Sequence, residues 1–408
     1  MNRKGQAGRK GDRVRSDCWI SVEIRSSGGV DLSLSSKVSS MYGETIAETI
    51  KKGLGAFGIE HAAVEVVDAG ALPFVIAARL EAAVKRAAPD AAGELLPEFK
   101  PWSQYGTTRD RFRRSRLYLP GDQAKFMVNV GLHEPDGIIL DLEDSVAPSE
   151  KDAARYVVRN ALRSVDFMGA ERMVRINQLP AGLDDLPFIV PHNVHVLLIP
   201  KCESAEQVRA VDERTGEILA EHGIGNQVFL MPIAETALGC IRAYEIASAS
   251  PNVVALTIGL EDYTADIGTQ RTAKGRESFW ARSQVVNAAR AAGVQPIDTV
   301  FSDVTDMEGL LASVREAKGL GFDGKGCIHP RQIGVIHEGF TPTPAEIEKA
   351  TRIVKAFEKA EAEGLGVVSL GSKMIDPPVV KRATRTVELA IASGGLAENW
   401  REGGGDDA

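Results

Sequence analysis

Eight short apolar runs, most of them separated by stretches of helical length, dominate the chain from residue 113 onward: RLYLP, GIILDLED, RMVRIN, HVLLIPK, VFLMPIAE, VVALTIGLED, PIDTVFSD and GKGCIHP. Apolar runs this short suit buried strands. Alternating β and α units predict a parallel sheet. Eight such units over about 240 residues suit a TIM (β/α)8 barrel. A doubly wound open sheet is the alternative, although it usually has fewer strands and a Gly-rich first turn.

The segments on either side of that alternation have a different character. Residues 1–16, MNRKGQAGRKGDRVRS, are basic with no apolar run behind them, and predict a disordered arm, not a secretory signal. Residues 17–87 predict a small α+β unit. CWISVEI and AAVEVVDAG read as strands, and SSMYGETIAETIKKGLGAFG reads as a helix with Ile46, Ile50 and Leu54 on one face. Gly53, Gly55 and Gly58 spell G-x-G-x-x-G, but the pattern follows a helix and not a strand, so these glycines end a helix and cradle no nucleotide. Residues 88–112 lose periodicity, gather prolines and read as a linker. The barrel is expected over 113–340, a helical extra segment over 341–398, and a disordered tail over 399–408.

Composition narrows the function classes. The 408 residues are 44% hydrophobic and 25% charged, with a net charge of -8, which argues against a nucleic-acid partner. No run approaches 18 apolar residues, so no membrane span is expected. Cys18, Cys202, Cys240 and Cys327 are far apart and form no C-x-x-C pair. That pattern fits a reducing, cytoplasmic setting better than a disulfide framework.

In a TIM barrel the chemistry sits where the strands end. Here the runs end in Asp141, Glu143 and Asp144, then Arg175 and Asn177, Lys201, Glu235, Glu261 and Asp262, Asp298, and His329. Polar ends on every unit predict one polar mouth. Its carboxylates suit a hard cation such as Mg²⁺, whereas zinc would favour His and Cys. Glu235 and Asp262 end adjacent strands and are the candidate metal ligands. Asp141, Glu143 and Asp144 would orient metal waters and basic residues around them. Lys201 reads as the partner of an acid such as Glu143 and not as a Schiff base. His329 reads as a loop anchor, and Asp144 equally as a helix cap. Arg175 should face either those acids or an anionic substrate.

The motifs RSRLYLPG, DGIILDLEDSV, VRIN, IPK, AETALG, IGLEDYTADIG, GFDGKGCIHPRQI and GLGVVSLGSKMIDPPVV resemble, in order over residues 113–395, the citrate lyase β-subunit family within the HpcH/HpaI aldolase superfamily. Residues 17–87 resemble the citrate lyase γ subunit, an acyl carrier protein. The resemblance implies a TIM barrel with a C-terminal lid, in a γ–β fusion. It implies Mg²⁺ on Glu235 and Asp262, with Arg175 and Glu143 catalytic. Arg114, Arg175, Lys201 and Glu235 are then the substrate-binding set. It also implies a lid acid at Asp376 that reaches a neighbouring subunit's site in a homo-oligomer. The implied activity is cleavage of a 3-hydroxyacyl thioester, citryl-carrier or citryl-CoA, to an acetyl thioester and oxaloacetate, alongside an α-like partner subunit. Malyl- or citramalyl-CoA lyase, a β-hydroxyacyl-CoA thioesterase and a non-catalytic scaffold are the rival expectations. One departure stands out. The carrier family attaches a phosphoribosyl-dephospho-CoA type group to a serine two residues before an aspartate; here that position is Arg15, and Ser16 lies one residue closer to Asp17. Either Ser16 carries the group, or the carrier is unloaded and the substrate is a free CoA thioester.

Overall fold

In the computed structural model, which describes residues 4–364, 368–370 and 373–401, regular structure begins at Lys4. β1 (Lys4–Gly8), β2 (Cys18–Ile24), β3 (Val30–Ser36) and β4 (Ala62–Asp68) form one sheet in the order β1-β2-β4-β3. Two helices, α1 (Ser39–Ala56) and α2 (Pro73–Ala87), accompany the sheet. The expectation of a disordered arm over 1–16 is therefore corrected for Lys4–Gly8. The reason is steric. The buried positions of β1 are Gly5 and Ala7, and a Cβ on Gly5 would stand 2.1 Å from the Ala83 carbonyl oxygen of α2. The strand packs by being small, so it carries no apolar signal. The three glycines behave as expected: Gly53 and Gly55 lie in the last turns of α1, and Gly58 follows its end at φ +67°.

The eight apolar runs become β5 (Ser115–Pro120), β6 (Gly137–Asp141), β7 (Glu171–Arg175), β8 (Val196–Ile199), β9 (Phe229–Ala234), β10 (Ala255–Ile258), β11 (Gln295–Asp298) and β12 (Gly324–Cys327). Each is parallel to its neighbours, and β12 pairs with β5 to close the barrel. Ile139, Met173, Leu198, Met231, Ile233 and Ile297 belong to a fully buried cluster contributed by several of these strands. The interior is thus a packed core, and access to it is from the ends.

The carrier-like domain and the barrel form one unit, Met1–Ile333. α2 lies along the barrel helix α3 (Lys151–Ser164), and buried polar contacts join the two domains. Arg159 of α3 donates to both oxygens of Glu81 at 3.0 and 2.6 Å. Arg79 of α2 grips Asp17 at 3.0 and 2.9 Å and donates to the Asp122 carbonyl, just beyond β5, at 2.6 Å. The expected linker adheres to the barrel: Tyr105 donates its hydroxyl to the Ala170 carbonyl at 2.6 Å, and Thr107 donates to Glu171 at 2.6 Å.

The second unit, Gly334–Ala408, contains helices Pro344–Ala362 and Pro377–Ala392 and a hairpin of Val368–Leu370 with Lys373–Ile375. The division falls inside the helix Arg331–Phe340, a few residues before the boundary at 340 expected from sequence. Trp400 is buried with Ile353, Val354, Ile375 and Val387. The disordered tail expected from residue 399 is corrected accordingly for 399–401, and residues 402–408 lie outside the described residues. Parts of the lid motif, residues 365–367 and 371–372, lie outside them too.

Candidate active site

The C-terminal ends of the barrel strands converge on a cavity of about 390 Å³. Arg175, the last residue of β7, faces Asp141, the last residue of the adjacent β6. Its Nε and Nη2 donate to the two Asp141 oxygens at 2.6 and 2.8 Å. Its Nη1 lies 2.9 Å from Glu143 Oε2. Burial opposes the charges here, but the hydrogen bonds and charge of Asp141 keep the guanidinium protonated and raise its pKa, while Arg175 holds Asp141 below the usual carboxylate range. The acids that end β6 therefore find their positive partner in Arg175, and its orientation is fixed by both of them.

Lys201 follows β8 in a left-handed conformation, φ +46°. That turn lets its backbone and its side chain serve different acids. The backbone N–H donates to Glu235 Oε1 at 2.7 Å, while Nζ lies 2.8 Å from Glu143 and 3.5 Å from both Asp144 and Asp262. Burial works against the ammonium, but the hydrogen bond and charge of Glu143, with Asp262 and Asp144, raise its pKa. An ammonium so stabilised is a poor Schiff-base nucleophile.

Glu235 follows β9 and is 3% exposed. Burial pushes its carboxyl up to about 8; the Lys201 N–H works the other way, and the nearby Asp262 charge adds to the rise. Asp262 sits in the first turn of the helix after β10, and β9 and β10 are paired, so the two acids line the same cavity. Gly259, between them in sequence, is glycine for want of space: a Cβ would stand 2.3 Å from Glu235 Oε2.

This pair fits a hard cation. A buried carboxyl whose strongest charge neighbour is another carboxyl gains most from a cation placed between them. Among the described residues no group of three or more His, Cys, Asp or Glu side chains converges as a metal site. Two carboxylates with the remaining positions left to water and substrate is the ligand set Mg²⁺ accepts.

Other expected site residues fall elsewhere. Arg114 precedes β5 and is bound at 2.9 Å to Asp136, which precedes β6, so it lies at the N-terminal end of the barrel. Its expected place in a substrate-binding set is corrected on that ground. Asp376 caps the helix Pro377–Ala392 in the second unit, accepting from the Val379 N–H at 3.1 Å. Asp298 is fully buried and is bound by Lys325 at 2.7 Å and Arg282 at 3.1 Å. His329 accepts from the Arg331 N–H at 3.1 Å, as a loop anchor should. Ser16 is half-buried at φ +53°, its N–H donated to the Ala69 carbonyl at 3.1 Å.

Sequence reasoning missed Arg116. It lies inside β5, is 1% exposed, and lines the cavity with Thr257 and Tyr118. An arginine within an otherwise apolar buried run was the available signal.

Two domain-family models match the chain: HpcH/HpaI aldolase/citrate lyase over residues 114–330, and malonate decarboxylase delta subunit (MdcD) over residues 6–87. The citrate lyase subunit beta of Haemophilus influenzae is 42% identical over 284 residues, covering 69% of this chain and 97% of that protein. The mitochondrial citramalyl-CoA lyase of Homo sapiens is 34% identical, covering 69% of this chain and 86% of that protein. Among solved structures, the CitE protein of Mycobacterium tuberculosis in complex with magnesium, acetoacetate and coenzyme A matches with a TM-score of 0.57 at 30% identity. It covers 69% of this chain and 99% of that one.

Proposed function

Because the chain belongs to the HpcH/HpaI aldolase/citrate lyase family, we propose that it is a carbon–carbon lyase that cleaves a 3-hydroxyacyl thioester to an acetyl thioester and a 2-oxo acid. The observation that carries this reading is the buried Glu235 carboxyl beside Asp262, with Arg175 and Lys201 fixed in the same mouth.

A Mg²⁺ ion bound by Glu235 and Asp262 would supply Lewis acidity that lowers the pKa of the substrate hydroxyl. The protein's own groups do the rest. As the hydroxyl gives up its proton to water in the mouth, cleaving the bond between the α-carbon and the hydroxyl-bearing carbon leaves an enolate on the acetyl thioester and a carbonyl on the departing oxo acid. Arg175 offers positive charge for the thioester oxygen as the enolate forms; Asp141 and Glu143 hold the guanidinium still, so little reorganisation accompanies the reaction. Lys201 offsets the negative charge of Glu143, Asp144 and Asp262 around the mouth. Asp376 is the proposed proton donor to the enolate carbon, acting from the second unit of a neighbouring copy in a homo-oligomer.

The thioester is proposed to be a soluble CoA derivative, with Ser16 unmodified. Asp17, the aspartate that marks the attachment stretch, is taken up by Arg79 in a buried contact, and Arg79 also binds the barrel. An α-like subunit would then be unnecessary. The intact mass of protein from its native host tests this directly: an added mass that Ser16→Ala abolishes would restore the loaded-carrier reading.

The activity test is a panel of citryl-, citramalyl- and malyl-CoA with Mg²⁺, following the oxo acid and the acetyl thioester by mass. Oxo acid and acetyl-CoA formation that stops with chelator and with Asp262→Ala is the expected result. Thiol release without acetyl-CoA would mean a thioesterase, and no turnover of any thioester would mean a binding subunit.

A further inference from the structure

The geometry points to Arg116 as the residue that selects a substrate with a second carboxylate, one the metal-binding pair does not hold. Arg116 lines the cavity from the second residue of β5, and its side chain enters the barrel core. Its contacts are neutral: Nη1 lies 3.0 Å from Met231 Sδ, and Nη2 donates to Thr257 Oγ1 at 3.1 Å and to the Asp298 carbonyl at 3.5 Å. Nε is buried with no hydrogen-bond partner. Among the described residues no carboxylate pairs with this guanidinium. The carboxylates nearby are committed elsewhere: Asp298 to Lys325 and Arg282, and Asp141 to Arg175.

A buried arginine is ordinarily paired, because an isolated charge in a dry interior is costly. This chain contains fully paired examples, in Arg113 with Glu171 and Arg159 with Glu81. Arg116 differs in that the vacant space beside it is the cavity. Its planar fork, with Nε unpartnered and Nη1 held only by a thioether, has donor capacity to offer a carboxylate that enters that space.

The chemistry of the candidate substrates then discriminates among them. In all of them the hydroxyl-bearing carbon carries one carboxylate, which the hydroxyl and the cation can share. Only the citryl group carries a further carboxymethyl arm; the citramalyl group has a methyl there and the malyl group a hydrogen. The inference rests on the lyase reading and narrows it to the citryl class.

Two measurements test it. The first compares kcat/KM for citryl-CoA and citramalyl-CoA in the wild type and in Arg116→Met, with Arg116→Lys as a charge-retaining control. The citryl preference is expected to fall by about 10- to 100-fold in Arg116→Met, the range for a lost charged hydrogen bond, and by less in Arg116→Lys. The second is calorimetric binding of oxaloacetate against 2-oxobutyrate, its near-isostere without the second carboxylate, to the Mg²⁺-loaded protein. The wild type should favour oxaloacetate and Arg116→Met should not. Equal losses for both thioesters, or an unchanged binding preference, would overturn the assignment while leaving the lyase reading intact. Absence of all turnover would overturn the lyase reading, and calorimetry would still report on Arg116. Arg116→Met should fold at least as well as the wild type, because it removes an unpaired buried charge; thermal melting checks that.

Discussion

Gly259 shows how one missing side chain sets a site. Its would-be Cβ lies 2.3 Å from Glu235 Oε2, so Gly259→Ala must move the carboxylate. A displacement of that kind is expected to cut turnover by roughly 10²-fold with a small change in melting temperature; steady-state kinetics alongside thermal melting separates the two effects. At the same scale, two histidines outside the mouth predict an acid limit on stability. His195 accepts from the Arg172 N–H at its Nδ1 (3.1 Å), with its Nε2 2.9 Å from the Tyr105 carbonyl. Burial, and then the Arg172 charge, push it down to about 3; His192, buried beside Arg159 and Arg163, is likewise lowered to about 3. The unfolded chain, with histidines near ~6.5, binds more protons below that pH. This stability is therefore complete above ~6.5 and is lost as pH falls toward the folded value. At pH 5 the loss is on the order of 2 kcal/mol for each histidine. The melting temperature should fall between pH 7 and pH 5, and His195→Asn should flatten that slope. Individual residues were legible where a strand end announced them, as Glu235, Asp262 and Arg175 did. Arg116 and Gly259 were not, because their importance lies in what surrounds them and not in their spacing.

At the scale of elements, legibility followed apolar content. Among the barrel strands, β6, β8, β9 and β10 were visible as fully buried runs carrying Ile, Leu or Val, whereas β12, GKGC, has none of these and was legible only from its place in the alternation. β1 was invisible because Gly5 and Ala7 are its buried residues, whereas β3, VDLSLSS, carries the alternation of a half-buried strand and was a signal overlooked. What fixes β1 is close approach to α2, with Gly5 against the backbone of Ala83, Arg86 and Ala87. Gly5→Val should therefore push the strand off the helix at a cost of about 1–3 kcal/mol, the usual range for overpacking. Urea unfolding should report the loss, and hydrogen exchange should show β1 amides exposed while β8 and β9 stay protected.

On the scale of the whole molecule, the notable feature is a carrier-like domain that shares one unit with its barrel. A carrier that delivers a thioester by swinging needs a weak, polar and wet contact with its enzyme. The contact here includes two arginines whose side chains are 1% exposed: Arg159 pairs with Glu81 across it, and Arg79, paired with Asp17 inside the carrier-like domain, donates to the Asp122 carbonyl of the barrel. Such pairs add little net stability over an apolar contact, but removing one partner leaves a buried charge alone and costs about 3–5 kcal/mol. Glu81→Gln keeps the shape of the side chain but removes its charge and turns one acceptor into a donor, leaving Arg159 only the exposed Glu94 at 3.7 Å as an acidic partner. The expected outcome is a loss of that size, with hydrogen exchange rising together in α2 and α3 and remaining slow in the barrel strands. If exchange in α2 and α3 of the wild type is already fast and Glu81→Gln leaves it unchanged, the domain moves freely and delivery by a swinging carrier returns as the better account. Slow exchange in the wild type would instead mean that the domain is held in place on the barrel, and that the thioester must come to the mouth from solution.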